Sequence, residues 1–456
     1  MNRILFEAAE RFNLSTSSAE DDIYERVWKW EDDPENQLKK CQSDEAYTVS
    51  PFLGIWNGEA FVYTQKSASL GIWDFAKLLW RYGTAPLRAN RLTKEVINRF
   101  LRLYEDPLFP WVSLTDAVRV VGLDTVTTKT AESLFKQRGM WGEFAREIVQ
   151  ASTRVNYAQH LSAIHSLESL VCLATEGAMA VRGGNWQMFD AMIHEATRDV
   201  RLNTSVTAVE YNSDGLYSVA STSPHSSDIE HFDDVIIATP LQFSGIDINS
   251  PSARLPDTIP YVQLHVTLFS TPRALSPSAF NLSGSESVPT FVLTTLQPDE
   301  DPGDDLEYGA GKAGFFSISV VKKGRNPHSL PPGRPERIYK IFSDKRVDDA
   351  FLARILGVEE PSSESCERDE NEDPHRFCGL DENDVSWIHR KVWHSYPFEL
   401  PRVTFEELRL GESLWYTSGI ESFISTMETS ALAGKNIAKL VVNEWVKSPE
   451  TEKTEL

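Results

Sequence analysis

Residues 413–421 read SLWYTSGIE, and residues 427–445 read METSALAGKNIAKLVVNEW. The first stretch predicts a short strand that ends close to Gly419, and the second predicts a helix that begins at Met427. Far upstream, the apolar run VIIA at 235–238 is typical of a buried strand in a parallel sheet. Together these pieces predict an α/β fold.

The rest of the chain alternates between helical and strand-like patterns. Apolar residues recur at helical spacing over about residues 70–175. Asn57–Gly58 stands between two apolar runs, which predicts a β-hairpin within 47–65. Residues 260–345 predict several strands separated by turns rich in proline and glycine. A chain of 456 residues with this pattern is expected to form two or three domains, or one domain with a large insertion.

The chain is strongly acidic, with 45 basic and 67 acidic residues and a formal net charge of −22. Much of the excess lies in two runs, at 299–307 and 359–384. Such a charge argues against binding to nucleic acid. Both acidic runs are expected to be solvated loops, and a docking site for a basic partner is the alternative.

Cysteine usage and hydropathy exclude several classes of protein. Four cysteines are too few for a disulfide framework, and Cys366, His375 and Cys378 have spacings that do not suit zinc, so no metal is expected. No apolar run is long enough to predict a transmembrane helix. The first residues, MNRILFEAAERFNLS, do not resemble a signal peptide, so we expect a cytoplasmic protein by default or one whose N-terminus is missing.

One glycine motif matches the residue pattern of a nucleotide-binding fingerprint but lacks the secondary structure that the fingerprint requires. Residues 309–314, GAGKAG, fit the pattern G-x-G-x-x-G. That fingerprint needs a strand before it and a helix after it, because the helix N-terminus faces the pyrophosphate. Here an acidic run precedes the motif and a predicted strand at 315–321 follows it. We therefore predict a hairpin connection that binds no phosphate.

The strand and helix at 413–445 permit two interpretations. Some flavin sites are closed by such a unit, because the N–H groups of a helix opening at Met427–Glu428 can approach the negative N1–O2 edge of the flavin. An ordinary C-terminal αβ unit explains the same stretch equally simply.

Eight short motifs in series resemble the prenylcysteine oxidase family, also called the prenylcysteine lyase or farnesylcysteine lyase family. They are LWRYG (79–83), FLRLY (100–104), RVNYAQ (154–159), GGN (183–185), ATPL (238–241), WHSYP (393–397), SGIE (418–421) and METSA (427–431). Their order and spacing extend over roughly residues 45–445, and the resemblance rests on the whole series because no single motif is specific.

The resemblance implies an FAD-dependent thioether oxidase. Such enzymes act on farnesyl- or geranylgeranyl-cysteine, or on another small apolar thioether, and release cysteine, the prenyl aldehyde and hydrogen peroxide. The implied chemistry is hydride transfer from the thioether carbon to flavin N5, attack by water, and reoxidation by O2. The family is vacuolar, lysosomal or secretory.

The resemblance also implies a flavin amine-oxidase-like fold of two domains, in which a substrate domain interrupts the FAD domain. Family members begin with a strand, a G-x-G-x-x-G turn and a helix, and this sequence starts beyond that unit. We therefore expect a fold that lacks the first Rossmann βαβ unit, and FAD binding that is weak or absent. The expected segments are an N-terminal remnant (1–45), the mostly helical substrate part (46–175), the return to the FAD domain (176–245), the mixed-sheet substrate part (246–398) with the acidic insertion (359–384), the closing strand and helix (399–447) and a charged tail (448–456).

Site residues follow from the matched motifs. The resemblance assigns to the FAD side Gly183, Gly184, Asn185, Val206, Thr239, Gly419, Ile420, Glu421, Met427 and Glu428. It assigns to the substrate side Asn156, Tyr157, His394 and Tyr396. A tight turn explains each glycine as readily, and a core role explains the histidine. No catalytic base is named, because hydride transfer does not require one.

A second hypothesis is a cofactor-less, non-catalytic lipid-binding or accessory paralogue of the same family. The absent N-terminal fingerprint favours it, whereas the closing motif at 418–431 favours the enzyme. The presence or absence of bound flavin distinguishes the two.

Overall fold

The computed structural model describes residues 2–18, 52–66, 72–174, 179–197, 199–300, 302–303, 305–306, 308–330, 332–359 and 380–447. The acidic run at 359–384 lies largely outside these residues. The described part is a mixed α/β protein with several sheets, which confirms the predicted fold class. No helix in these ranges is both long enough and apolar enough to cross a bilayer.

Helices dominate residues 72–174, as predicted for about residues 70–175, and further helices lie before and after this range. They are α1 (Arg3–Arg11), α2 (Ile72–Tyr82), α3 (Ala85–Leu101), α4 (Leu114–Val120), α5 (Asp124–Thr127), α6 (Ala131–Gln137), α7 (Gln150–Tyr157), α8 (Ser166–Cys172), α9 (Trp186–Ala196), α10 (Leu241–Ser244), α11 (Asp349–Leu356) and α12 (Met427–Lys447). Side-chain caps begin several of them: Ser113, Thr130 and Asp348 each accept a hydrogen bond from a backbone N–H in the first turn.

The strands form four sheets. They are β1 (Thr16–Ser18), β2 (Leu53–Trp56), β3 (Phe61–Gln65), β4 (Met179–Val181), β5 (Ser205–Tyr211), β6 (Tyr217–Thr222), β7 (Ser227–Phe232), β8 (Val235–Ile237), β9 (Asp247–Asn249), β10 (Tyr261–Thr271), β11 (Phe291–Thr294), β12 (Ser317–Asn326), β13 (Arg334–Ser343), β14 (Trp387–Pro397), β15 (Arg409–Gly411) and β16 (Leu414–Tyr416). The orders are β14-β10-β13-β12-β11-β2-β3, β7-β6-β5-β9, β15-β16-β8 and β1-β4.

The seven-stranded sheet is antiparallel except where β11 runs parallel to β2. The predicted hairpin at Asn57–Gly58 is confirmed as the connection between β2 and β3. Gly58 has a φ of +94°, which a side chain would make unfavourable, and the Asn57 side-chain oxygen accepts hydrogen bonds from the N–H groups of Glu59 and Ala60.

The three-stranded sheet joins two strands that the sequence predicted separately, at 235–238 and 413–417. Val235, Ile236 and Ile237 pair in parallel with residues of β16. The expectation that this run is fully buried is wrong, because the side chain of Ile236 is 47% exposed. The reason is its position: within the described residues β8 pairs on one side only, so it is an edge strand.

The largest hydrophobic core joins the helical layer to the end of the chain. Phe100 and Leu103 from the helical layer pack in one cluster with Phe423, Leu432 and Ile437. A buried amide reinforces this contact, since the Asn436 side chain accepts a hydrogen bond from the Trp111 N–H and donates one to the Trp111 carbonyl. The closing segment is therefore fixed against the helices that the sequence assigned to the substrate domain.

The GAGKAG loop holds no open phosphate cradle, as predicted. The N–H of Ala310 donates to Asp344 at 3.0 Å, and the N–H of Lys312 donates to Glu300 at 2.7 Å. Two carboxylates thus occupy the amides that an anion would need, and strand β12 follows the loop.

Replacing Gly309 by alanine is expected to lower the free energy of unfolding by about 1–3 kcal/mol. Gly309 has a φ of +70°, and a Cβ there would collide with the Asp344 carboxylate. Gly314→Ala is the matched control: its φ is +75° but no atom lies within 4 Å of the added Cβ, so its cost is only the backbone strain. Urea unfolding measures both variants, and equal losses would contradict the steric explanation.

Candidate functional site

The closing segment turns sharply after β16. A 3₁₀ helix, Ser418–Ser422, follows the strand and places Gly419 against the side chain of Glu406. A Cβ on Gly419 would lie 2.8 Å from the Glu406 Cβ, so glycine is required by the close approach. Ile420 is fully buried in the core beneath.

A series of side chains connects Glu421 to His394. Glu421 accepts a hydrogen bond from the Tyr261 hydroxyl at 3.1 Å, and burial raises the pKa of its carboxyl. The Tyr261 ring meets Phe243 edge-on at 5.0 Å, and Phe243 stacks on the imidazole of His394 at 4.5 Å. The structure therefore links one residue predicted on the FAD side to one predicted on the substrate side.

A cleft of about 200 Å³ opens beside this series. Its walls come from the residues after β8, the loop before β10 and the start of the 3₁₀ helix. They include Pro240, Leu241, Tyr261, Glu406, Tyr416 and Gly419. Thr239 is exposed and lies one residue before this wall.

The N-terminus of α12 leaves two amides open. Thr426 caps the helix, because its hydroxyl accepts a hydrogen bond from the Thr429 N–H. Among the described residues no acceptor is found for the N–H groups of Met427 and Glu428. The Met427 side chain is 46% exposed whereas Glu428 is buried, so a ligand can approach the positive end of this 21-residue helix from the Met427 side.

The Glu428 carboxylate is already engaged by the protein. It accepts hydrogen bonds from the N–H groups of Arg3, Ile4 and Leu5 at 2.8–3.0 Å, and from the Tyr104 hydroxyl at 2.8 Å. The carboxylate therefore caps α1. Its predicted role toward FAD stays a prediction that can concern only the backbone N–H.

The Gly183–Asn185 turn lies between β4 and α9. Both glycines have positive φ, +89° and +120°, and the Asn185 side chain accepts a hydrogen bond from the Val181 N–H. Val181 and Met188, on either side of the turn, share a small core with α1 and with Ala431 of α12. The turn is thus close to the closing helix. Val206 packs in a separate core around β8 and β16.

Two of the predicted substrate-side residues meet at the start of the closing helix. The rings of Tyr157 and Tyr396 lie 5.3 Å apart, and the Tyr157 hydroxyl donates to the Ser425 carbonyl at 3.0 Å. Asn156 is exposed, and its amide donates to the Ser152 carbonyl of the same helix. Within the described part of the chain, the Asn156 side chain makes no hydrogen bond to either tyrosine.

Three buried ionisable residues lie close to Tyr157 and were not predicted. The carboxylate oxygens of Glu168 and Glu399 and Nε2 of His165 are buried without a hydrogen-bond partner among the described residues. Burial raises the pKa of Glu168 to about 8 and holds that of Glu399 well above its usual range. The signal available in the sequence for this buried group was a glutamate, Glu168, within the largely apolar stretch SLESLVC (166–172).

His165 is neutral in this environment. Its Nδ1 accepts a hydrogen bond from the Glu168 N–H, so the ring proton is on Nε2, which lies 3.4 Å from a Glu399 oxygen. Burial, with Arg402 nearby, lowers the pKa of His165 to about 3. Because the imidazole is neutral, the His165–Glu399 contact is not an ion pair at neutral pH.

Glu168→Gln is expected to flatten the dependence of stability on pH between about 4.5 and 8. The folded chain holds the Glu168 proton more tightly than the unfolded chain, whose carboxyl has a pKa of about 4.3. The resulting stability is complete below that value and is lost as the pH rises through about 8. Urea unfolding across this range measures the free energy of unfolding of both proteins. The advantage of wild type over the variant should shrink or reverse as the pH rises, and a constant difference would contradict the raised pKa of Glu168.

With this geometry established, the chain can be compared with known proteins. A profile of the prenylcysteine lyase family matches residues 65–454, and the protein belongs to this family. The farnesylcysteine lyase of Arabidopsis thaliana is 26% identical over 414 residues, which cover 87% of this chain and 71% of that protein. Prenylcysteine oxidase 1 of Homo sapiens is 25% identical over 411 residues, covering 86% and 73%.

Similarity to solved structures is weaker. A cyclohexylamine oxidase from Brevibacterium oxydans IH-35A has a TM-score of 0.46 at 13% identity, covering 97% of this chain and 85% of that chain. A fatty acid isomerase from P. acnes has a TM-score of 0.48 at 11% identity, covering 94% and 85%.

Proposed function

We propose that this protein is an FAD-dependent thioether oxidase that cleaves farnesyl- or geranylgeranyl-cysteine to cysteine, the prenyl aldehyde and hydrogen peroxide. Membership of the prenylcysteine lyase family supports this class of reaction. The observation that carries the proposal is the meeting of the Tyr157–Tyr396 pair with Ser425, two residues before the open amides of α12. Aromatic rings that can contact an apolar substrate, beside a helix N-terminus that can approach the cofactor, suit this reaction.

The residues around the α12 N-terminus fit the ring end of a flavin. The open N–H groups of Met427 and Glu428, together with the helix dipole, suit the electron-rich N1–O2 edge. Gly419 lets the backbone approach closely, because a side chain there would collide with Glu406. One oxygen of Glu421 accepts a hydrogen bond from the Tyr261 hydroxyl, and the other can accept one from a hydroxyl of the cofactor. When bound, FAD supplies the hydride acceptor for the oxidation.

The tyrosine pair suits the apolar substrate. Tyr396 is half-buried and can present ring surface to a prenyl chain, and the buried Tyr157 packs against it and excludes water. Burial raises the pKa of both phenols, which therefore stay protonated and uncharged at neutral pH. The buried carboxyls of Glu168 and Glu399, whose pKa values are raised by burial, lie close to Tyr157.

The direct test is turnover with added FAD. Purified protein is incubated with farnesylcysteine, and released thiol and hydrogen peroxide are measured together. Equal amounts of both products, dependent on FAD, are expected. Farnesylcysteine binding without either product would instead support the non-catalytic lipid-binding paralogue. Weak FAD binding stays a prediction, and titration of the protein with FAD measures it.

A further inference from the structure

The hairpin of α2 and α3 presents an exposed apolar and basic surface. The side chain of Trp80 is 90% exposed, more than any other large apolar side chain in the described part of the chain. Leu87, across the turn at Gly83, is 46% exposed. We call the set Lys77, Trp80, Leu87, Arg91 and Lys94 the hairpin surface; all five are exposed.

The outward position of Trp80 is fixed by its neighbours. Arg81 donates two hydrogen bonds to Glu147, at 2.8 and 3.0 Å, and the Tyr82 hydroxyl donates a third at 2.6 Å. These contacts fix the end of α2 against the protein. On α3, the opposite face buries Leu92 and Val96 in the main core. The hairpin cannot rotate Trp80 inward without breaking these contacts.

The hairpin is basic within an acidic protein. Residues 72–94 contain five basic residues and one acidic residue, a net charge of +4, whereas the whole chain carries −22. On α3, Leu87, Arg91 and Lys94 follow the i, i+4, i+7 spacing of one helix face. On α2, Lys77 and Trp80 are three residues apart and therefore neighbours on the helix surface. On each helix, exposed basic and apolar side chains thus lie on the same face.

We propose that the hairpin surface docks on the anionic surface of a phospholipid bilayer, with Trp80 at the headgroup level. An indole favours this boundary, because its ring is apolar and its N–H is polar. Nearby lysine and arginine side chains add attraction to anionic lipids. A second copy of the chain is disfavoured as the occupant, because two surfaces that each carry Lys77, Arg91 and Lys94 repel each other. The docking needs no activity, but if the proposed function holds, it places the enzyme where a prenyl thioether partitions.

The test is co-sedimentation of the full chain with vesicles. Phosphatidylcholine vesicles are compared with vesicles that contain about one third phosphatidylserine. Binding to the anionic vesicles is expected, with weak binding to the neutral ones and loss at high salt. Trp80→Ala should weaken binding about tenfold, and the triple variant Lys77→Glu, Arg91→Glu and Lys94→Glu at least about 100-fold. Leu330→Ala, at a residue 84% exposed elsewhere, is the control and should bind like wild type.

Two results would overturn the proposal. One is absence of wild-type binding to anionic vesicles, or equal binding by folded Trp80→Ala and triple variants. The other is a wild-type dimer in light scattering that Trp80→Ala dissociates, which would make this surface an interface between copies. Farnesylcysteine turnover without vesicles is measured in parallel, so failure of docking and failure of the oxidase function are distinguished.

Discussion

Replacing Glu428 by alanine is expected to lower the free energy of unfolding by about 3–5 kcal/mol. The Glu428 carboxylate accepts hydrogen bonds from three backbone N–H groups at the N-terminus of α1 and from the Tyr104 hydroxyl. Alanine leaves all four donors without that acceptor, and the N–H of Leu5 is buried. The variant also removes a negative charge from the positive end of a helix dipole.

Two controls isolate the role of the Glu428 carboxylate. Glu428→Gln keeps one acceptor oxygen and loses the charge, so we expect a smaller loss of about 1–2 kcal/mol. Glu7→Ala removes an acidic residue of α1 whose ion pair with Arg3 is exposed, and its effect should stay below about 0.5 kcal/mol. Urea unfolding gives all three values. A loss in Glu428→Ala no larger than that in Glu7→Ala would mean that Glu428 does not fix α1.

Tyr396→Asp is expected to abolish binding of farnesylcysteine. The Tyr396 ring contacts Tyr157 at 5.3 Å, and both belong to apolar surroundings in which a carboxylate would be costly. Tyr396→Phe keeps the ring contact and should bind like wild type. Isothermal titration calorimetry measures affinity, and circular dichroism establishes that each variant is folded. Unchanged affinity in a folded Tyr396→Asp variant would exclude Tyr396 from the substrate site.

The sequence predicted the helices and strands of this fold better than it predicted which side chains are buried. The helix at Met427 and the strands at 235–238 and 413–417 follow from apolar spacing, which local sequence contains, whereas their parallel pairing does not. The exposure of Ile236 does not follow from the local sequence, because the burial of a strand depends on which other strands pair with it. That carboxylates occupy the amides of the GAGKAG loop agrees with the sequence, which places an acidic run before the loop and a strand after it.

The candidate site was predicted in part. Motif matches selected Tyr157 and Tyr396, which the structure brings together, and also Asn156, which it does not. His165 and Glu399 are in contact although more than two hundred residues separate them in the sequence, and no local pattern indicates that they meet. The structural use of the Glu428 carboxylate was equally hidden, because its donors lie at the opposite end of the chain. Long-range pairing is the information that one sequence lacks.

Anaerobic mixing with substrate tests the proposed oxidase function most directly. Protein loaded with FAD is mixed with farnesylcysteine in the absence of O2, and the visible flavin absorbance is followed while released thiol is measured. The proposed function predicts bleaching of the flavin with about one thiol released per flavin, and recovery of the absorbance when O2 is admitted. An unchanged spectrum at a substrate concentration that saturates binding would contradict it.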